Sequence, residues 1–453
     1  MPKQLFGTDG IRGVPGEYPL DDQTLGRVGF ALGKYLLREK PGRTAPRVLI
    51  GRDTRESGPR LAQRIANGLS SAGAEVIGAG VLTTPGVAWL VNREGFSAGV
   101  VISASHNPYH DNGVKLISSL GMKFPDDVEA DLERAILSPN GLPLVPRSVV
   151  GLGRDSDQSL CEDYLAGLRS AVLPGATIAG MKVVLDCANG AASELAPELF
   201  GSLRASVVAM NDRPDGRNIN AGAGSLYPGG MQKRVVETGA DLGVAFDGDA
   251  DRAIFASPSG RLVDGDGVLL TLGRHMKSTG QLKGNVIVGT TMANLGLERA
   301  LEKSGLELLR AAVGDRYVLE QMQRIGANLG GEQSGHILFL DDATTGDGML
   351  TAVKMASLVS IAGPLDRLVA DLTIYPQRIV NVRVKSKPPM ESLPEISRLL
   401  REAERALGGS GRVVLRYSGT EPLARVMVEA EHEEDVDRWT ETLASALRGS
   451  IGA

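Results

Sequence analysis

One unit recurs three times along this chain: an apolar strand, a loop, an amphipathic helix and a second apolar strand. Residues 47–50 read as a buried strand, 60–72 have helical periodicity, and 74–77 are strand-like again. Residues 182–185, 193–200 and 205–208 repeat the pattern, and 285–288, 295–303 and 306–309 repeat it once more. Such alternation builds parallel-type sheets with right-handed crossovers. Copies this far apart are separate α/β domains, not turns of a solenoid.

The last part of the chain follows a different rule. Residues 379–384 and 424–429 alternate apolar and polar side chains. Ile396, Leu399, Leu400, Ala403 and Leu407 mark one helix face, and Val436, Trp439, Leu443 and Leu447 mark another. Alternating strands with helices on one side predict an α+β domain with one wet sheet face. A chain of 453 residues exceeds a single core. Pro- and Gly-rich punctuation at 138–146, 257–260 and 363–376 divides it into 1–150, 151–258, 259–368 and 369–453.

The formal net charge of −5 argues against nucleic acid or an anionic membrane as partner. An anionic ligand then requires a locally basic pocket. Cys161 and Cys187 form neither a metal spacing nor a disulfide framework and read as small buried residues. This usage fits a reducing, cytoplasmic setting. No apolar run reaches membrane-spanning length and the N-terminus lacks a signal-peptide core.

Four loops carry candidate chemistry. The short apolar strand 98–102 runs into Ser103-Ala104-Ser105-His106-Asn107-Pro108. Loops after such strands bind ligands, and Ser105 is the candidate nucleophile. His106 is expected to diverge from it, as neighbouring side chains do. No Gly-x-Ser-x-Gly elbow is present, which disfavours an esterase triad. The apolar strand 240–246 leads directly into Asp247-Gly248-Asp249-Ala250-Asp251-Arg252. Three carboxylates at alternate positions of an extended segment can converge on one hard cation, Mg²⁺ ahead of Mn²⁺ or Ca²⁺. Unpaired, they would repel one another. An EF-hand is excluded, because Arg252 and Pro258 stand where Gly and Glu are needed. Arg252 can hold a phosphate beside the ion.

Gly330 to His336 combines glycines with a carboxylate, a hydroxyl and an imidazole. Glu332 and Ser334 are candidates for sugar hydroxyls, and His336 is either functional or a satisfied half-buried histidine. Arg416, Ser418, Gly419 and Thr420, with Arg425 beyond, form a phosphate-type loop. Gly51-Arg52-Asp53-Thr54-Arg55 and Gly314-Asp315-Arg316-Tyr317 are weaker basic loops, readable as purely structural. No P-loop is present.

In their order along the chain these loops, with Phe6-Gly7-Thr8-Asp9-Gly10-Ile11-Arg12-Gly13 ahead of them, resemble the α-D-phosphohexomutase superfamily, and within it the bacterial phosphoglucosamine type. The resemblance implies three similar α/β domains with mixed sheets and a distinct C-terminal α+β domain around a central cleft. It implies a phosphorylated Ser105 and one Mg²⁺ held by Asp247, Asp249, Asp251 and a phosphate oxygen on Ser105. Arg12, Lys115 and His336 match positions near the proton transfers, with acid and base unassigned. The implied reaction interconverts glucosamine 6-phosphate and glucosamine 1-phosphate through a sugar 1,6-bisphosphate, for amino-sugar and cell-wall precursor synthesis. The implied partners are a small sugar phosphate and an activating phosphoryl donor or kinase, with room for a homodimer.

Gly419 fits the phosphoglucosamine type, where phosphomannomutases and phosphoglucomutases often carry Asn. Tyr417 and Ser225-Leu226-Tyr227-Pro228 depart from the common pattern, so those two activities stand as alternatives. Asp247-Gly248-Asp249 also superficially resembles an aspartyl phosphatase motif. A non-catalytic sugar-phosphate sensor is the third reading.

Overall fold

The computed structural model describes residues 5–7, 9–39, 45–138, 158–418 and 422–453. The expected connector after Ser138, the division at residue 150, and Gly419 and Thr420 lie outside the described residues.

The first sheet contains β1 (Ile11–Gly13), β2 (Arg47–Arg52), β3 (Glu75–Val81), β4 (Ala98–Ile102) and β5 (Asn112–Ser118), in the order β1-β5-β4-β2-β3. The second contains β6 (Lys182–Asp186), β7 (Ser206–Met210), β8 (Leu242–Phe246), β9 (Ala253–Ala256) and β10 (Leu262–Val263), in the order β10-β9-β8-β6-β7. The third contains β11 (Val286–Thr290), β12 (Glu307–Ala311), β13 (Leu329–Gly331) and β14 (Ile337–Phe339), in the order β12-β11-β13-β14.

One template underlies all three sheets. A central strand pairs in parallel with two neighbours, β2 with β3 and β4, β6 with β7 and β8, β11 with β12 and β13. An antiparallel strand then follows, as β5, β9 or β14. The central strands are continuous apolar runs, as a sheet covered on both faces requires. All five residues of β4 and of β8 are buried. The turn at 257–260 lies inside the β9–β10 hairpin, so the second sheet continues past residue 258.

Three of the four loops with candidate chemistry occupy the same place in this template, between the third parallel strand and the antiparallel one. Residues 103–108 follow β4, 247–252 follow β8, and 332–336 join β13 to β14. They converge because the first three units share one apolar core, running from Leu49 and Leu90 through Tyr164 and Phe246 to Phe339 and Val353. Cys187 is buried in it. Cys161 is half-buried, because it flanks the stripe Leu160, Tyr164, Leu165 and Leu168 that the helix Gln158–Ser170 turns inward.

The fourth sheet contains β15 (Gln377–Arg383), β16 (Gly411–Tyr417) and β17 (Leu423–Ala430), antiparallel in the order β15-β17-β16. Val382, Ile396, Val426 and Trp439 form its separate core, while Ile379, Asn381 and Arg383 are exposed. A buried clamp fastens it to the third unit. Glu429 accepts from Leu295 N at 2.8 Å and from Arg412 Nε at 2.5 Å, and the Arg412 guanidinium donates to Thr291 O and Ala293 O at 2.7 and 2.6 Å.

Candidate active site

Ser105 is buried and its backbone is left-handed, with φ of 51°. The Oγ donates to Asp247 Oδ2 at 2.6 Å. The same φ turns the His106 ring back, leaving its Nδ1 3.3 Å from Ser105 Oγ. The expected divergence of these neighbours assumed ordinary strand or helix geometry, and the positive φ removes it. Burial, with Arg252 and Arg12 nearby, lowers the His106 pKa to about 4, so the ring is neutral at physiological pH.

Asp247, Asp249 and Asp251 place one oxygen each within 4.8 Å of one another. The segment is not extended, as the sequence suggested, but a tight turn. Ala250 N bonds to Asp247 O at 3.1 Å, and Ala250 has φ of 57°. A straight strand would space alternate residues about 7 Å apart, and the turn closes that gap. Asp249 Oδ1 and Asp251 Oδ1 are buried with no hydrogen-bond partner among the described residues. Burial, then Asp251 and Asp249, push the Asp247 carboxyl well above its ordinary range. Three such carboxylates cannot all ionise without a counter-charge. An oxygen-only set with orphaned buried oxygens fits a hard divalent cation such as Mg²⁺.

Cations from three units surround the triad. Lys115, on β5, is buried, with Nζ 3.1 Å from Asp249 Oδ2, 3.3 Å from Asp9 Oδ2 and 3.9 Å from Asp251 Oδ2. Burial alone would lower its pKa; Asp249, Asp9 and Asp251 outweigh it and hold the ammonium charged. His336 Nδ1 is 3.7 Å from Asp251 Oδ2. Burial opposes its charge, but Asp251 and then Asp315 and Glu332 raise its pKa to about 9. A Cβ on Gly346 would lie 2.3 Å from His336 Nε2, so any larger residue there would displace the imidazole. Arg12 donates to Ala104 O at 2.7 Å and pairs with Asp9. Arg252 Nε is 3.7 Å from Asp251 Oδ1 and its N–H reaches Asp247 Oδ1 at 3.2 Å. Glu332 accepts from Gly314 N at 3.0 Å, and Ser334 Oγ is buried without a partner among the described residues.

Ser105, the three aspartates, Lys115, His336, Arg12 and Arg252 thus form one connected group. Arg416 on β16, Arg425 on β17 and Ser418, just past the end of β16, belong instead to the fourth unit. Arg416 and Arg425 are cross-strand partners. Ser418 is buried, and its carbonyl accepts from Lys387 Nζ at 2.5 Å.

Several contributors were not singled out in the sequence. Thr84 Oγ1 donates to Asp249 Oδ2 at 2.6 Å; its only signal is the Thr83-Thr84-Pro85 step at a helix start. Lys123 bridges Asp9 Oδ1 at 2.8 Å and Asp315 Oδ2 at 2.9 Å, tying the first unit to the loop that read as weakly basic. A cavity of about 990 Å³ opens between these units and is lined by Lys115, Lys123, Asp251, Asp315 and His336.

The chain matches known proteins along nearly its whole length. Four domain families of phosphoglucomutase/phosphomannomutase match in order: α/β/α domain I at residues 3–140, domain II at 162–260, domain III at 264–375 and the C-terminal domain at 379–446. A phosphoglucosamine mutase of Solibacter usitatus is 50% identical over the whole of both chains. One of Geobacillus kaustophilus is 45% identical over 99% of each. The solved N-acetylphosphoglucosamine mutase of Aspergillus fumigatus, in complex with GlcNAc-6P and magnesium, shares the fold with a TM-score of 0.65 and 20% identity, over 99% of this chain and 96% of that one. Among the described residues, no helix is long and apolar enough to cross a membrane.

Proposed function

The chain belongs to the phosphoglucosamine mutases of the α-D-phosphohexomutase superfamily, and from that premise we propose that it interconverts glucosamine 6-phosphate and glucosamine 1-phosphate with Ser105 as the phosphoryl carrier. The observation that carries this reading is the 2.6 Å contact between Ser105 Oγ and Asp247 Oδ2, inside a triad with two orphaned buried oxygens.

Asp247, Asp249 and Asp251 would hold one Mg²⁺, which when bound neutralises charge on the transferring phosphoryl group. The substrate's own phosphate docks on Arg416, Ser418, Gly419, Thr420 and Arg425. Glu332 and Ser334 meet the sugar hydroxyls, and Arg252 steadies the group in transit. The P–O bond to Ser105 Oγ breaks as a P–O bond to the free sugar hydroxyl forms. In net balance the hydroxyl proton replaces the phosphoryl group on Ser105 Oγ, while Lys115, His336 and Arg12, cationic where they stand, steady the charge beside these proton transfers. The resulting bisphosphate turns end for end, and its other phosphate returns to Ser105, regenerating the carrier. Sugar 1,6-bisphosphate, or a separate phosphoryl donor, supplies the first loading. A hinge between the C-terminal unit and the rest would let the cleft close, exclude water and so suppress hydrolysis. The reaction fits a cytoplasmic enzyme of amino-sugar synthesis that works on small molecules.

A coupled assay with a catalytic amount of sugar bisphosphate tests this. The proposal expects isomerised product without net release of phosphate, and the highest kcat/KM on glucosamine 6-phosphate among the glucosamine, glucose and mannose phosphates. Stoichiometric phosphate release would establish a phosphatase instead. Binding without turnover would establish a sensor.

A further inference from the structure

Arg55 is fully buried, and all five N–H groups of its guanidinium are engaged. The Nε donates to Asp53 Oδ2 at 2.9 Å. The remaining four go to main-chain carbonyls of the serine loop: Ser105 O at 2.9 Å, Asn107 O at 2.8 Å, Asp111 O at 3.0 Å, and Pro108 O. Asn220, from the second unit, adds Nδ2 donors to Ser105 O at 2.9 Å and Asn107 O at 3.1 Å. The other side of Ser105 is gripped as well. Its N–H donates to Ser103 Oγ at 2.9 Å, and Ser103 Oγ donates to Asp53 Oδ2 at 2.7 Å. Asp53 thus ties the two grips together.

These bonds close around a residue in an unfavourable conformation. A left-handed φ is strained for an L-residue with a side chain, and such strain persists only where the surroundings over-determine it. Eight described non-glycine residues have positive φ, and six of them, Ser105, Ala188, Asn189, Asn211, Asn220 and Ala250, lie in the loops meeting here. Those loops are cross-bonded: Asn220 N to Ala188 O at 2.9 Å, Asn189 N to Asn211 O at 2.6 Å, and Thr54 Oγ1 to Asn189 O at 2.5 Å. A Cβ on Gly248 would stand 2.5 Å from Ser105 O and 2.8 Å from Asn220 Nδ2, so the acidic loop closes directly over the same carbonyl.

We infer that Arg55 and Asn220 are positioning residues for the nucleophile: together they hold Ser105 in its left-handed conformation, so that Oγ meets Asp247 rather than swinging away. Asn220 makes this hold depend on contact between two units, so Ser105 is aligned only when the first and second units are docked. This inference rests on Ser105 being the phosphoryl carrier. Lysine at 55 would keep a charge for Asp53 but has three donors in a different geometry, too few for four carbonyls. Glycine at 220 keeps the positive φ that alanine would strain and deletes only the amide.

The test compares wild type, Arg55→Lys and Asn220→Gly, each loaded with phosphate on the serine by incubation with glucose 1,6-bisphosphate. Single-turnover mixing with glucosamine 6-phosphate reads transfer to sugar and loss to water separately. In both variants transfer to sugar should fall about tenfold to a hundredfold, as a displacement of about 1 Å can produce. The fraction lost to water should rise, and the half-saturation for substrate should stay within about twofold of wild type. Wild-type transfer and partitioning in folded Asn220→Gly would overturn the inference, whatever the fate of Arg55→Lys. If loaded wild type itself passes no phosphoryl group to the sugar, the carrier role of Ser105 fails, which is a separate result.

Discussion

Arg416 and Arg425 stand directly opposite one another in the β16–β17 pairing. Like charges at directly opposed positions destabilise a sheet, and here burial and then Arg425 both lower the pKa of the Arg416 guanidinium. Two guanidinium groups placed opposite one another are suited to bind one anion between them. We therefore expect Arg416→Ala to raise KM for the sugar phosphate by about tenfold or more, the loss of a charge-assisted bidentate contact. Its melting temperature should equal or exceed that of wild type. A variant with unchanged KM and a lowered melting temperature would mark the pair as structural.

Thr84 touches none of the reacting atoms in the proposed mechanism but donates to Asp249 Oδ2 at 2.6 Å from the first unit. Hydrogen bonds that orient ligand carboxylates typically support metal affinity by 10–100-fold. Thr84→Val, which keeps the shape, should raise the Mg²⁺ concentration for half-maximal activity by about tenfold, with activity recovering at high Mg²⁺. An unaltered Mg²⁺ titration would remove Thr84 from the site.

Asp347 caps the helix Gly348–Ala362, accepting from Leu350 N at 2.9 Å, and also accepts from Tyr164 Oη at 2.8 Å. Burial raises its pKa from 3.8 to about 6, and the hydrogen bonds it accepts only partly oppose that rise. Between these two values the folded state binds the extra proton, so the contribution favours folding at low pH and is lost as pH rises through about 6. Asparagine caps as well as aspartate and cannot ionise. The stability difference between Asp347→Asn and wild type should therefore move in favour of the variant from pH 4 to pH 6 and stay level above pH 7. Denaturant midpoints across that range measure it, and a difference independent of pH would contradict the assignment.

The repeated strand–helix–strand unit was legible because parallel strands buried on both faces write themselves as apolar runs such as 98–102 and 242–246. The acidic loop and the serine loop stood out because nothing in a core needs three aspartates or Ser-His-Asn-Pro at a strand end. What stayed hidden were conformations and long-range partners. Ser105 at φ of 51° leaves no mark, since serine, unlike glycine, does not advertise a positive φ. Its nearness to His106 was therefore misjudged. Arg55 looked like one basic residue in a weak loop, because its four carbonyl partners lie 50 to 56 residues away and offer no side chains to read. The turn that gathers the aspartates hangs on Ala250, another positive φ without a sequence signal. Where the second sheet ends was blurred because Ser257-Pro258-Ser259-Gly260 is a hairpin turn, and hairpin turns and linkers share the same residues.

The claim on which the rest depends is that the phosphoryl group travels on Ser105. It is tested most directly by incubating the Mg²⁺-loaded enzyme with substrate carrying an isotopically labelled phosphate and mapping the label on the protein. The account predicts an acid-stable, hydroxylamine-resistant label on the peptide containing Ser105, exchanging at the rate of turnover, and neither label nor turnover in Ser105→Ala. A hydroxylamine-sensitive label on the peptide containing Asp247, or turnover retained by Ser105→Ala, would contradict it.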